Sequence, residues 1–309
     1  MKVAVIDLGT NTFNLVVASR AAEGALIIHF EEEIAVGLGK GGIEKGGITA
    51  EAFHRGLEAL TMLGIKARGL GAEHIRGFGT SALRNARNGS AFVAAAKKEC
   101  SVEVTIIPGD EEAGLILDGV RLAVEFGKRP QLVMDIGGGS IEFILATDRA
   151  LMWKRSFELG TSRLLERFHP GDPMTVQEHL RIAAHLDVQL EPLWAVMDRH
   201  WPHTLVGSAG SFDSLAAMVA ALRGEELPKD RNTMHFSTTI FDELKDGLLS
   251  MPREERNAIA GLPSYRVDSI LPALIVAERV VSRGIGEVCW SRYALKEGAA
   301  WRALNAPTL

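Results

Sequence analysis

At 309 residues the chain is too long for one ordinary core and fits two domains of about 150 residues each. Apolar residues make up 47% and charged residues 24%, an ordinary globular balance, and the net charge of −5 excludes a general nucleic-acid binder. Asp7 interrupts the apolar start, no run of about 20 apolar residues follows, and Cys100 and Cys289 are too few and too far apart for a disulfide framework or a zinc site. The expectation is a reduced cytoplasmic protein with no membrane partner and no structural metal.

In chain order, residues 2–8 read as a strand ending at Gly9, and 13–18 read as a second strand, so the pair forms a hairpin. Residues 25–36 are a further β-type stretch. Residues 50–63 carry helical spacing through Phe53, Leu57, Leu60 and Leu63, with Thr49 as N-cap. A strand at 74–79, a helix from Ser81, a strand at 102–107 and a helix at 111–126 complete the first half. The second half restarts with a strand at 131–136 running into Gly137-Gly138-Gly139 and a returning strand at 141–147. Helical patterns then cover 161–200, 211–223, 237–250 and 269–283, with a short strand near 203–207. The polar segment 223–232, which contains Pro228, reads as a loop. The chain is α/β in class.

An internal repeat is the most informative feature. Read from Ala4, the first hairpin aligns without gaps on the sequence from Leu132, an offset of 128 residues. Asp7 then matches Asp135, Gly9 matches Gly137, Thr12 matches Ser140 and Asn14 matches Glu142. An offset near half the chain is too long for a solenoid and points to two duplicated domains.

Each hairpin tip has the chemistry of an anion site. Glycine permits positive φ and leaves no side chain between backbone amides and a ligand, and successive amides form a concave cradle. The substrate-binding candidates are therefore Gly9, Thr10, Asn11 and Thr12 in the first copy and Gly137, Gly138, Gly139 and Ser140 in the second. Asp7, Asp135 and Glu142 can hold a metal or its waters. Carboxylates beside phosphates repel unless a cation lies between them, so Mg²⁺ is the implied cofactor. The second copy, with Glu142 where the first has Asn14, is the better metal-side loop.

Two further segments add to this. Thr80 or Ser81 is placed to cap a helix whose first amides face an anion, with Arg84 one turn in and able to fork onto phosphate oxygens. After Pro108-Gly109, a helix opens on Asp110, Glu111 and Glu112; two of these acids suit the helix dipole, and one near a phosphate can deprotonate an attacking water. Gly37-Leu38-Gly39-Lys40-Gly41-Gly42 fits G-x-G-x-x-G in spelling only. No βαβ unit surrounds it, so it reads as a glycine-rich loop and not a dinucleotide site.

Together, AVIDLGTNTFNLVVA, TSALRNARN, IIPGDEEAGLILDGV, DIGGGSIEF, ELGTSRLLERF, GSAGSFDSL and LPSYRVDSI resemble the exopolyphosphatase/guanosine pentaphosphate phosphohydrolase (Ppx/GppA) family in its own order. The resemblance implies two ribonuclease-H-like domains of the actin and sugar-kinase type with an interdomain cleft: residues 1–124 joined by 293–309, and residues 125–292. It implies catalytic Glu112, a phosphate-binding Arg84 and metal-associated Asp135 and Glu142. The reaction it implies is removal of the terminal phosphate from inorganic polyphosphate, or from guanosine pentaphosphate with tetraphosphate as the related ligand. Ser211, Pro272-Ala273, Ala294 and Lys296 depart from the family pattern in the second half, and the chain stops where longer members add an HD-type domain. A sugar-kinase-like phosphotransferase would need an adenosine pocket that the sequence does not show. A non-catalytic sensor would not need the Glu112 base. Arg163, Arg167, Arg266 and Lys296 are candidates for a basic track, and a homodimer is left open.

Overall fold

The computed structural model describes residues 1–227 and 231–306. Pro228, within the segment read as a loop, and the last three residues of 293–309 lie outside the described residues. The chain divides into two compact units. One is Met1–Leu122 together with the C-terminal segment from Tyr293, and the other is Ala123–Arg292. No helix among the described residues is long and apolar enough to cross a membrane.

The first unit runs β1 (Lys2–Leu8), β2 (Thr12–Arg20), β3 (Leu26–Ala35), α1 (Ala50–Gly69), β4 (His74–Gly79), α2 (Ser81–Asn85), α3 (Gly89–Ala95), β5 (Glu103–Ile106) and α4 (Gly109–Ala123). Its sheet has the order β3-β2-β1-β4-β5. The first three strands are antiparallel, and β4 and β5 follow parallel to β1. Central β1 is apolar through Val3–Ile6 because both of its faces are buried, whereas edge strand β3 alternates with a period of two. Thr49 caps α1 through Ala52 N, as expected, but the helix continues past Leu63 because buried Gly64 and Ala67 extend its apolar stripe.

The helix expected from Ser81 breaks after five residues. Ala86 adopts an extended conformation, and Asn88 pairs its side-chain amide with both backbone groups of Ile48. The C-terminal helix, Leu295–Asn305, packs on β1 and β2, and Arg302 pairs with Asp118 of α4. Glycines bring α4 and this helix into backbone contact: a Cβ on Gly298 would lie 1.9 Å from the Leu115 carbonyl oxygen, and one on Gly119 would lie 1.9 Å from that of Ala294. Gly298→Ala is therefore expected to destabilise the chain by about 1–3 kcal/mol or more. Urea denaturation should show a lower midpoint at an unchanged slope.

The second unit begins with β6 (Gln131–Ile136), β7 (Ile141–Ala146), β8 (Leu151–Phe157), α5 (Thr161–Phe168), α6 (Val176–Gln189) and α7 (Glu191–His200). It continues with β9 (Thr204–Ser208), α8 (Ala209–Leu222), β10 (Thr233–Ser237), α9 (Thr238–Ser250), α10 (Arg253–Arg256), α11 (Ile270–Val281) and β11 (Glu287–Ser291). The sheet order is β10-β11-β9-β6-β7-β8. Without the antiparallel edge strand β10, this repeats the order of the first sheet, with the same hairpin-first, parallel-after directions. That shared order is the ribonuclease-H-like arrangement, so both units are α/β and of this fold.

Three strands, β8, β10 and β11, escape the sequence pattern. Strand β8 carries Lys154 and Arg155 within seven residues, which hides its period. The helical pattern expected over 161–200 divides into three helices. It breaks after His169, which has φ 43°, and again at Leu190, ahead of Pro192. Helix α6 opens with a full capping box: Thr175 accepts from Glu178 N, while Glu178 accepts from the Thr175 and Gly171 amides and the Thr175 hydroxyl. Those donors, the Thr175 hydroxyl first, lower the Glu178 carboxyl to about 2. A depressed carboxylate contributes stability above its unfolded pKa and loses it as pH falls through the folded value. The contribution is thus whole above about pH 4.5 and fades toward pH 2. Glu178→Gln should flatten the pH dependence of denaturation in that window and lower stability at neutral pH, where the contribution is whole.

Candidate active site

The two hairpin tips are built alike. In the first, Gly9 N donates to the Thr12 carbonyl at 3.1 Å; in the second, Gly137 N donates to the Ser140 carbonyl at 3.1 Å. A Cβ would sit 2.9 Å from the acceptor at Gly9 and 3.0 Å at Gly137, and neither residue has positive φ. These glycines serve close backbone approach, so the positive-φ reason given by sequence does not apply to them.

In the second tip the carbonyls of Gly137, Gly138 and Gly139 accept from Thr161 N (3.0 Å), Ser162 N (2.8 Å) and Gly160 N (3.2 Å) respectively. The C=O of one residue and the N–H of the next point to opposite sides of a trans peptide. Holding three successive carbonyls toward α5 therefore turns the amides of Gly138, Gly139 and Ser140 the other way, as a concave donor set for an anion. In the first tip the Thr10 carbonyl accepts from Gly39 N at 3.0 Å, and the Asn11 carbonyl accepts from Val36 N and Gly37 N at 2.9 and 2.8 Å. Asn11 and Thr12 accordingly present the amides there.

At the root of the second tip, Asp135 of β6 lies directly opposite Glu142 of β7, so both carboxylates share one face of the sheet. Ser208 of β9 pairs with Asp135, and Ser156 of β8 pairs with Glu142. A polar row, Ser156–Glu142–Asp135–Ser208, thus crosses four strands. Ser208 Oγ donates to Asp135 Oδ2 at 2.7 Å and Ser156 Oγ donates to Glu142 Oε1 at 2.6 Å. Asp135 is 7% exposed and Glu142 1%. The corresponding row of the first unit is Glu33–Asn14–Asp7–Phe78, in which Asp7 faces a neutral amide. Sequence comparison finds Glu142 and Asn14 but neither serine: Ser208 lies in a motif read only for its family pattern, and Ser156 lies on an unrecognised strand.

Arg84 and Glu112 meet. Arg84, in the last turn of α2, donates through Nη1 to Glu112 Oε2 at 2.6 Å and to the Ile107 carbonyl at 3.1 Å. Glu112 is buried in the first turn of α4, unlike exposed Glu111. The helix cap expected before Arg84 is absent. Thr80 makes no capping bond; its hydroxyl donates instead to the Leu8 carbonyl, tying α2 to the end of β1. What positions Arg84 is that tether together with the Ile107 carbonyl.

The four arginines and lysines considered for a basic track each have local partners: Arg163 the Gly139 carbonyl and Glu158, Arg167 the His185 ring, Arg266 the Gly210 carbonyl, and Lys296 Glu31 and Glu297.

The model of the Ppx/GppA phosphatase family matches residues 16–306. Exopolyphosphatase 2 of Mycobacterium tuberculosis is 30% identical over 317 residues, covering 97% of each chain. Guanosine-5'-triphosphate,3'-diphosphate pyrophosphatase of Photobacterium profundum is 29% identical over 224 residues, 72% of this chain and 45% of that protein. The crystal structure of an exopolyphosphatase from Cytophaga hutchinsonii superposes with a TM-score of 0.96 at 36% identity, covering 100% of this chain and 99% of that one. With a family match across nearly its whole length and the duplicated hairpins in both units, the chain belongs to the Ppx/GppA phosphatase family.

Proposed function

We propose that the chain is an exopolyphosphatase that hydrolyses the terminal phosphoanhydride of inorganic polyphosphate and releases orthophosphate. The observation that carries this reading is the second hairpin. It joins an amide cradle for an anion to two buried, directly opposed carboxylates suited to a cation. Polyphosphate is the ligand class that brings both charges, a chain of anionic groups with divalent counter-ions.

The donor set fits Mg²⁺. Asp135 and Glu142 are hard oxygen ligands, and no cluster of three or more His, Cys, Asp or Glu residues able to hold a metal exists among the described residues. Mg²⁺ is commonly held by one or two carboxylates while substrate phosphates and waters complete its shell. When bound there it would neutralise charge on the transferring phosphoryl group.

The chain's own groups do the rest. Each unit's tip by itself, Gly138, Gly139 and Ser140 in one and Asn11 and Thr12 in the other, offers amides that can hold phosphate oxygens at fixed angles with no reorganisation during reaction. Glu112 takes the proton from the attacking water through its carboxylate. In the present arrangement that carboxylate is engaged by Arg84, and an engaged carboxylate is a poor base. A phosphate oxygen competes for the same guanidinium, which suits planar anions of either kind. Substrate arrival thus draws Arg84 onto phosphate and releases Glu112 for water, coupling base activation to occupancy. Asp7, set opposite Asn14, would offer a single carboxylate to a cation.

The test is phosphate release from long-chain polyphosphate with and without Mg²⁺, against guanosine pentaphosphate under the same conditions. The proposal expects Mg²⁺-dependent release and a higher kcat/KM on polyphosphate. No release from polyphosphate, or a kcat/KM favouring the nucleotide, would reject it.

A further inference from the structure

We propose that Gly160 and Arg163 are positioning residues that set the angle of the second amide cradle, and that phosphate affinity depends on them although they lie behind the loop. The inference rests on the reading that Gly137–Ser140 holds phosphate, but it concerns the loop's support and not its ligands.

The segment preceding and opening α5 grips the back of the loop at every peptide. Thr161 N, Ser162 N and Gly160 N take the three carbonyls in turn. Arg163 Nε then adds a second donor to the Gly139 carbonyl at 2.8 Å, while Arg163 Nη2 pairs with Glu158 Oε2 at 3.0 Å. The arginine side chain is 13% exposed, so this is a shielded, charge-assisted bond on a backbone oxygen. Gly160 makes the grip possible. A Cβ there would fall 2.4 Å from Gly138 C, Gly138 O and Gly139 N, directly on the peptide joining the two cradle glycines. No flexible side chain could yield at that point; the cradle backbone itself would have to move.

The first unit shows the same construction from unrelated sequence. Gly37 and Gly39 donate to the back of the Asn11 and Thr10 carbonyls, and a Cβ on Gly39 would meet Thr10 Cγ2 at 2.5 Å. Arg55 completes it, with Nε on the Val36 carbonyl at 3.0 Å and Nη2 on that of Gly37 at 3.2 Å. Each cradle thus has a glycine pressed against its back and an arginine on a backbone carbonyl. In the first unit the arginine holds the brace; in the second it holds the cradle. This also gives a use to the Gly37–Gly42 string, which no nucleotide site explains. Preorganised donors lose their value when their direction errs, even if every donor remains.

The experiment uses the full chain and inorganic triphosphate in Mg²⁺-free buffer, with affinity measured by calorimetry, and phosphate release measured separately with Mg²⁺. Arg163→Met is expected to weaken triphosphate binding by roughly tenfold or more, and Gly160→Ala by at least as much, with a cooperative melt retained. Arg163→Lys keeps the charge but cannot reach both the Gly139 carbonyl and Glu158, so it should lose at least fivefold. An affinity within twofold of wild type in Arg163→Met would overturn the proposal, whatever Gly160→Ala does to folding. So would a lysine variant equal to wild type, since charge and not orientation would then be the cause. If wild type binds triphosphate yet releases no phosphate, the exopolyphosphatase reading fails while the positioning roles are still decided by the binding series. If wild type does not bind triphosphate, both fail.

Discussion

Glu112→Gln is expected to lose about 10²–10⁴-fold in phosphate release, the usual worth of a placed general base, while binding triphosphate at least as tightly as wild type. The sign of the second effect follows from the pair. Glu112 holds the Arg84 guanidinium at 2.6 Å, and a neutral amide competes for it less well than a carboxylate. The variant should therefore yield the arginine to phosphate more readily. Both groups are largely buried, at 17% and 8% side-chain exposure, and the amide oxygen can still accept from Arg84, so a folded variant is expected. Arg84→Met separates the roles. It leaves a buried carboxylate without its arginine, which should lower stability by roughly 3 kcal/mol or more, and it should weaken triphosphate binding where Glu112→Gln does not. Full turnover in Glu112→Gln would remove the residue from the mechanism. Weak triphosphate binding in that variant would refute the competition for Arg84.

What sequence reveals and what it hides divides along physical lines. The hairpins are legible because each is local: a buried strand, a glycine, a hydroxyl residue and a returning strand follow within about 15 residues, and the offset repeats them. Asp135 and Glu142 are legible for the same reason, since antiparallel pairing across a short tip makes opposition a matter of counting. Ser156 is hidden because β8 is masked by its basic residues, and Ser208 because its contact with Asp135 is parallel, 73 residues away. The Arg84–Glu112 pair spans 28 residues with a strand between. Residue types suggest two separate roles there, and only the fold shows that they engage each other. The break after α2 escaped because its cause, the clasp of Asn88 on Ile48, is tertiary. The glycines illustrate the subtlest limit: sequence identifies where they matter, but the reason is a carbonyl about 3 Å away and not a left-handed backbone.

Glu142→Gln tests the metal side and should move activity and stability in opposite directions. Glu142 is 1% exposed and directly opposite Asp135, and like charges in that relation on a sheet are destabilising by about 0.2–1 kcal/mol even at ordinary sites. Removing one charge without changing volume should relieve that repulsion, and the glutamine oxygen can keep the bond from Ser156 Oγ. In Mg²⁺-free buffer the variant is therefore expected to melt at or above the wild-type temperature. Added Mg²⁺ should reverse the order. A ligand at a hundredfold excess over its Kd stabilises the folded state by about 2.7 kcal/mol, which for a unit of this size is a rise of roughly 5–10 °C. Wild type should show that rise and the glutamine variant little of it. Phosphate release should fall by about 10²-fold or more, since the metal's share of transition-state charge stabilisation amounts to several kcal/mol. Asp135→Asn should behave in the same way, because the argument depends on the opposed pair and not on either member. Asp7→Asn, whose partner across the strand is the neutral Asn14, has no such repulsion to relieve and should give no gain in the metal-free melt. If Glu142→Gln instead lowers the metal-free melting temperature by several degrees and leaves the response to Mg²⁺ intact, the carboxylate is part of the scaffold, and the cation site must be sought elsewhere.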